Sequence, residues 1–101
     1  MFYRAATEML CENIAKQVVD AASGAVYTSS DIPAAIRGMV ETIMGYPSSH
    51  ALHAQAAQIL MDHQAAAAQG ASGSTSAKAT IGLQSAFALA CESPRALGIG
   101  L

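Results

Sequence analysis

Ionised side chains are scarce in this sequence, and so are aromatic ones. Charged residues make up 12% of the chain and aromatic residues 5%, with no tryptophan. A soluble domain normally carries about twice that share of charge. Alanine is abundant instead, with 23 copies among 101 residues, so the apolar part of the composition has little side-chain volume. The length allows one small domain with one modest hydrophobic core.

No cluster of positive charge is present, which argues against nucleic-acid binding. The chain has five Lys and Arg against seven Asp and Glu, a net charge of −2 and a pI of about 5.8. Binding along a phosphate backbone needs grouped cations. The cations here are spread along the chain, at Arg4, Lys16, Arg37, Lys78 and Arg95. We therefore expect no nucleic-acid partner.

Long apolar runs are absent as well. The longest stretch without Asp, Glu, Lys or Arg is Thr42–Met61, and it contains His, Pro, Ser and Gln. Such a segment does not cross a bilayer as a helix, so we expect no membrane span. The first residues show no apolar region typical of a secretory signal. A cytoplasmic location is the default expectation, and secretion is expected if the two cysteines are bridged.

Apolar residues recur at helical spacing in four segments, which predicts an all-α, single-domain, antiparallel four-helix bundle. The predicted helices cover about 3–22, 31–44, 49–69 and 77–92, followed by a short apolar tail over 94–101.

Apolar stripes and capping signals set these boundaries. Ser30 or Asp31 is expected to cap helix two, Gly45 to end it, and Ser48 or Ser49 to cap helix three. The predicted buried stripe of helix one is Tyr3, Ala6, Leu10, Ile14, Val18 and Ala21.

The two cysteines are Cys11 in helix one and Cys91 near the end of helix four. In an antiparallel bundle these helices are neighbours, and aligning their ends leaves the cysteines about 7 Å apart along the axis, give or take one turn. A disulfide is compatible with this spacing, and two buried thiols that act as small apolar side chains are the alternative. No Cys-x-x-Cys motif is present, which excludes thioredoxin-like chemistry and haem attachment through that motif.

Histidines are the remaining candidates for metal ligands. His50 and His53 are three residues apart at the start of helix three and can share a face. A third ligand would have to come from Glu41 or Asp62. His63 lies on another face, about 80° around the helix from His53. The simpler interpretation is an exposed His50 and a His63 at the edge of the core, so we expect no metal or haem cofactor.

Catalytic motifs are lacking. No Gly-x-Ser-x-Gly surrounds a serine. The glycine-rich stretch 70–76 lacks the Lys-Ser/Thr pair of a phosphate-binding loop and has no strand before it. Glu8 and Glu12 fall on a solvated face of helix one rather than in a paired carboxylate site. The sequence predicts a protein that is not an enzyme.

The alanine content leads to the functional prediction. Ordering the backbone costs roughly 1–2 kcal/mol per residue, whereas buried apolar surface contributes about 25 cal/mol per Å². An alanine-rich bundle of this length is therefore marginal as a monomer. We expect a structural or assembly subunit that forms a homo-oligomer through helix three and the tail. The predicted interface residues are Leu52, Ala56, Ile59, Leu97, Ile99 and Leu101.

Two other interpretations stay open. The chain could be a small helical module that binds or regulates another protein. It could also be a bundle that carries a metal through its histidines, or a haem through His and Met. Compositional bias with a frayed tail is the alternative explanation of the low charge and high alanine content.

Overall fold

The computed structural model of the chain describes residues 2–21 and 25–93, with side chains from Ala6 onward. The described α-helices are α1 (Phe2–Val18), α2 (Ile32–Gly38), α3 (His53–Gly70) and α4 (Thr75–Cys91). A short 3₁₀ helix, Ser29–Asp31, precedes α2, and a π-helical segment, Met39–Ile43, continues it. No β-strand occurs in these ranges. The predicted all-α helical bundle is confirmed.

Helix α4 is the central element, because it packs against α3, α1 and the π-helical segment. A short connection, residues 71–74, joins α3 to α4. Two links show that α1 and α4 run antiparallel. Cys11 pairs with Cys91 near the end of α4, whereas Asp20, just after α1, contacts Thr80 near the start of α4.

The core is small, as the composition implies. Six alanines are buried in it, and its bulk comes from a handful of larger residues. Apolar residues at helical spacing in the α2 region supply part of this bulk, since Ile36, Met39 and Val40 are fully buried. The largest fully buried side chains are Ile36, Met39, Leu60, Leu83, Val19, Val40 and Cys11.

The predicted stripe of helix one is confirmed in part, since Ile14 and Val18 pack against the core. Ala6 and Leu10 were predicted wrongly, because both are exposed, Leu10 at 59%. Cys11 and Ala15 are buried instead, each 1% exposed, so this face carries small side chains. A periodicity argument that favours bulky residues chose Leu10 over Cys11, which lies about 100° around the helix.

Helix α1 also ends earlier than predicted, at Val18 rather than near residue 22. Asp20 has a φ of 51°, the left-handed conformation that ends helices. Its carboxylate accepts a hydrogen bond from the Ser29 backbone N–H at 2.8 Å, and its own N–H donates to the Tyr27 carbonyl. Val19 and Tyr27 form an isolated parallel bridge, a pairing that the sequence did not reveal. The predicted stop, residues 23 and 24, lies outside the described residues.

The boundaries of the α2 region agree with the sequence. The Asp31 side chain accepts a backbone N–H of the first turn at 3.1 Å. Gly45 follows the π-helical segment with a φ of 75°, and the Tyr46 N–H reaches back to the Val40 carbonyl at 3.0 Å. This is the glycine-terminated helix end that the sequence predicted.

The start of α3 was predicted wrongly, because the helix begins at His53 and not at residue 49. Residues 48–52 form turns after Pro47, and no serine caps the helix. The His50 Nδ1 instead accepts the Leu52 N–H at 3.0 Å. Helix α4 begins two residues earlier than predicted, with the Ser74 hydroxyl as its cap.

Candidate association surface

A hydrogen bond between His63 Nε2 and Ser85 Oγ, 2.7 Å long, crosses from α3 to α4 and fixes their register. Because α3 and α4 are antiparallel, Ile59, four residues before His63, lies at the level of Leu89, four residues after Ser85. In the other direction, Ala67 lies at the level of Ile81. We call the resulting surface the α3–α4 seam: Ile59, His63, Ala67, Ile81, Ser85 and Leu89.

The exposed side chains of the seam are apolar, and its other three residues are partly exposed. Ile59 is 52% exposed, Ile81 42% and Leu89 37%. Leu52, 45% exposed, extends the same flank of α3 by two turns. Single exposed apolar residues are ordinary on proteins, but a contiguous group of them marks a contact surface.

Formal charge is almost absent around the seam. None of its six positions is Asp, Glu, Lys or Arg. Among those four residue types, α3 contains Asp62 alone and α4 contains Lys78 alone. The Asp62 carboxylate accepts a hydrogen bond from Gln58 Nε2 at 2.8 Å, so it has a partner on its own helix. A partner that covers these six positions would not have to desolvate an Asp, Glu, Lys or Arg side chain.

Close helix packing underlies this surface. A Cβ added to Gly82 would lie 2.6 Å from the Gln64 carbonyl oxygen and 3.0 Å from the Ala68 Cβ. Gln64 itself is buried at 7% exposure. No buried side-chain N or O atom in the described part of the chain lacks a hydrogen-bond partner. The helices are therefore held backbone to backbone, and the seam is the outer side of a rigid hairpin.

The structure places the predicted interface residues in different environments. Leu52 and Ile59 lie exposed beside or within the seam. Ala56 is a correction, because it is 5% exposed and packs in the core of its own chain, where a second molecule does not reach it. Its position on α3 faces the same side as the buried Leu60. The remaining three predicted residues, Leu97, Ile99 and Leu101, lie outside the described residues.

Two residues of the surface were missed at the level of sequence. Ile81 and Leu89 stand four residues before and after Ser85, the spacing of one helix face. Helical spacing in helix four points first to the core face, which contains Leu83 and Phe87. A second apolar stripe on the same helix was the available signal.

The two cysteines are joined as a disulfide between α1 and α4, with a Cα–Cα distance of 5.8 Å. The alternative of two buried free thiols does not hold. Spacing along the chain could not decide this, since a shift of one turn in either helix changes the Cα–Cα distance by about 5 Å.

The candidate metal ligands His50 and His53 are engaged separately. His50 accepts the Leu52 N–H, and its ring centroid lies 4.7 Å from that of Tyr46. His53 Nε2 lies 3.0 Å from Glu41 Oε2. No group of three or more His, Cys, Asp or Glu is placed to hold a metal ion in the described ranges. The arrangement links α3 to the π-helical segment through Glu41 and His53.

The contact between His63 and Ser85 invites a catalytic interpretation, because a histidine can activate a serine hydroxyl. Acyl transfer also needs N–H donors for the oxyanion. Both residues lie in the middle of a helix, where each backbone N–H is used by the carbonyl four residues earlier. The pair fits a structural link between helices better than a nucleophilic site.

Two groups beside α1 have shifted pKa values. Partial burial acts to raise the pKa of Asp20, but hydrogen bonds from the Thr80 hydroxyl and from Ser29 outweigh burial and hold that pKa below its ordinary value. Burial raises the pKa of Tyr27. The Tyr27 ring packs against Phe87 with a centroid distance of 5.9 Å.

Comparisons with protein-family models, curated proteins and solved structures found no match. Within the described residues, no helix has both the length and the apolar character that a bilayer crossing requires.

Proposed function

We propose that the protein is a non-enzymatic assembly subunit whose copies associate through the α3–α4 seam and the C-terminal tail. The observation that carries the proposal is the seam itself, whose exposed side chains are apolar and whose six positions contain no Asp, Glu, Lys or Arg. The small core adds support, because covering the seam supplies apolar burial that an alanine-rich interior lacks.

A second copy of the chain is the partner that suits this surface. In a two-fold symmetric contact, the same patch is used on both subunits, so a patch whose charges share one sign repels its own copy. The seam avoids that repulsion. The other exposed apolar pair, Met9 and Leu10 on α1, has Glu8 and Glu12 beside it. This difference favours the seam over α1 as the self-association surface.

The size of the seam fits a reversible dimer. Together with Leu52, the seam extends about 22 Å from Leu52 to Ala67, and two adjacent helices give a width of about 20 Å. Two copies would then bury roughly 900 Å², which is below the standard interface of about 1,600 Å². We therefore expect association that depends on concentration, with a Kd on the order of micromolar or weaker.

Light scattering after size separation, or sedimentation, tests this proposal. The unmodified chain should pass from monomer to dimer as its concentration rises. The variant Ile59→Ser/Ile81→Ser should stay monomeric, because it places hydroxyls at the centre of the contact. The matched control is Met9→Ser/Leu10→Ser, which changes side chains of at least equal exposure on α1 and should still dimerise. A chain that remains monomeric at every concentration contradicts the proposal and favours a module that binds another protein.

The contribution of the tail has its own test. Deleting residues 97–101 removes Leu97, Ile99 and Leu101 and should lower the extent of association at a fixed concentration. An unchanged association constant would remove the tail from the proposal and leave the seam.

A further inference from the structure

Helix α1 is attached to the rest of the fold through α4, at two separate places. The Cys11–Cys91 disulfide joins the middle of α1 to the end of α4. At the other end, the Asp20 carboxylate accepts hydrogen bonds from the Thr80 hydroxyl and the Ser29 backbone. One link is covalent and reducible, and the other is polar and independent of redox state.

Among the described side chains that precede Cys11 on α1, none is buried. The larger Met9 and Leu10 are 65% and 59% exposed. Cys11 and Ala15 are each 1% exposed, and Ile14 between them packs against the core. Along α1 from Ala6, the first buried side chain is therefore Cys11, the residue that carries the disulfide.

The bulk of the main core comes from other elements than α1. Ile36, Met39, Leu60 and Leu83 come from α2, the π-helical segment, α3 and α4, and each is at most 1% exposed. They belong to one packed cluster. Among the described side chains of α1, those before Ile14 are neither members of this cluster nor packed against it.

We propose that the Cys11–Cys91 disulfide is a redox-controlled latch on α1. A dithiol reductant opens it and releases the N-terminal half of α1 from α4. The Asp20 contacts keep the end of α1 attached, and the remaining helices stay folded. This inference is independent of self-association through the seam.

The exposure of the two sulfur-bearing residues sets the order of the reaction. Cys91 is partly exposed, whereas Cys11 is buried, so a thiolate of the reductant attacks the Cys91 sulfur. A mixed disulfide forms, and Cys11 leaves as a thiolate that takes up a proton. The second thiol of the reductant then attacks the reductant sulfur that is bonded to Cys91. This closes the reductant's internal disulfide and frees Cys91. In sum, the protein disulfide gains two electrons and two protons, and the dithiol becomes a disulfide.

Hydrogen exchange followed by mass spectrometry on the full chain tests the latch. The chain is compared in its oxidised form and after reduction with dithiothreitol. Amides of residues 8–15 should lose protection by at least about tenfold, while amides of 56–64 and 82–90 keep theirs. Unchanged protection in 8–15 overturns the proposal, and so does an equal loss in all three segments.

A variant separates reduction from other effects of the reagent. Cys11→Ser/Cys91→Ser should show the exchange pattern of the reduced chain without any reductant, and dithiothreitol should not change it further. If this variant does not fold, the disulfide supports the whole bundle rather than α1, and the latch is refuted.

The route of attack can be tested separately with a monothiol. Glutathione in limiting amount should leave its mixed disulfide on Cys91, located by peptide mapping after acid quenching. An adduct on Cys11 would contradict the proposed order.

Discussion

The two sides of α4 are held in place by different physical means. Toward α3, the missing side chain of Gly82 lets two helix backbones meet, with Gln64 against the glycine. Toward α1 and the loop after it, Phe87 packs on the Tyr27 ring, and a disulfide and a carboxylate hydrogen bond supply discrete links. The α3 interface depends mainly on close backbone approach, with the His63–Ser85 hydrogen bond beside it, whereas the α1 side depends on a large buried side chain and on the two discrete links.

This difference determines what each interface tolerates. The α3 side has no room for an added Cβ at Gly82. The contacts described on that side do not change with redox state. The α1 side packs side chains that differ in size as much as Ala15 and Phe87. A reductant breaks its disulfide, and acid protonates its Asp20 carboxylate. We expect enlarged side chains to destabilise the α3 side of α4 and truncated side chains to destabilise the α1 side.

The largest effect is expected from truncation at Phe87, which is 3% exposed. Phe87→Ala should lower the free energy of unfolding by about 3–5 kcal/mol, because it leaves a cavity beside Tyr27. Phe87→Leu, which keeps most of the volume, should lose less than about 1.5 kcal/mol. Urea unfolding followed by circular dichroism measures both. Equal losses of unfolding free energy for the two variants would show that the volume of the Phe87 side chain does not hold the α1 side of α4.

Enlargement at Gly82 comes next. Gly82→Ala should lower stability by about 1–3 kcal/mol through overpacking, even though alanine favours a helix over glycine by about 1 kcal/mol. Gly70→Ala is the matched control, since an added Cβ at Gly70 meets nothing within 4 Å. The control should unfold at the same denaturant concentration as the parent or slightly above it. A stabilised Gly82→Ala would mean that α3 and α4 are not in backbone contact.

The Asp20 link should make part of the stability depend on pH. Hydrogen bonds hold its pKa down in the folded chain, so its contribution is complete above the unfolded value of about 3.9 and is lost as the pH falls through the lower folded value. Asp20→Asn should cost about 1–2 kcal/mol at pH 7. Asparagine tolerates the left-handed conformation, so the backbone is not strained.

The readout for Asp20 is the difference in unfolding free energy between parent and variant at several pH values. That difference should shrink below about pH 4, where the Asp20 carboxylate of the unfolded chain begins to be protonated while that of the folded chain is still ionised. A difference that stays constant down to pH 2 would show that the charge has no part in the link.

The smallest effect is expected at the contact between α3 and the π-helical segment. His53→Gln removes the pairing with Glu41, whose side chain is 41% exposed. Exposed pairs are worth less than about 1 kcal/mol, so the unfolding midpoint should move only slightly. Glu41→Gln should behave in the same way, and a loss above about 2 kcal/mol in either variant would mark a larger role for this pair.

The sequence was sufficient for the fold class and for the helices whose ends carry local signals. Asp31 and Gly45 act through their own backbone and neighbours, so their roles could be predicted. The end of α1 could not, because Asp20 is stabilised there by Ser29 and Thr80, which are distant in the sequence. Tertiary contact overrode a helical pattern that continues past Val18.

The candidate surface was predicted in part for a related reason. Leu52 and Ile59 stand out on α3 by their size, and both are exposed. Ala56 was assigned to the same surface because alanine carries no signal of direction. The spacing of Ile81 and Leu89 marks a second apolar stripe on α4, but only the bond from His63 shows that this stripe lies beside Ile59 on α3.

The π-helical segment Met39–Ile43 has a consequence for how this chain tolerates deletions. A π turn contains one residue more than an α turn of the same height. Loss of one amino acid within it would rewind the segment to ordinary pitch and leave both flanks where they are. Elsewhere in a helix the same loss rotates all that follows by about 100°. We expect this stretch to be the spot in its helix where a shortened gene product still folds.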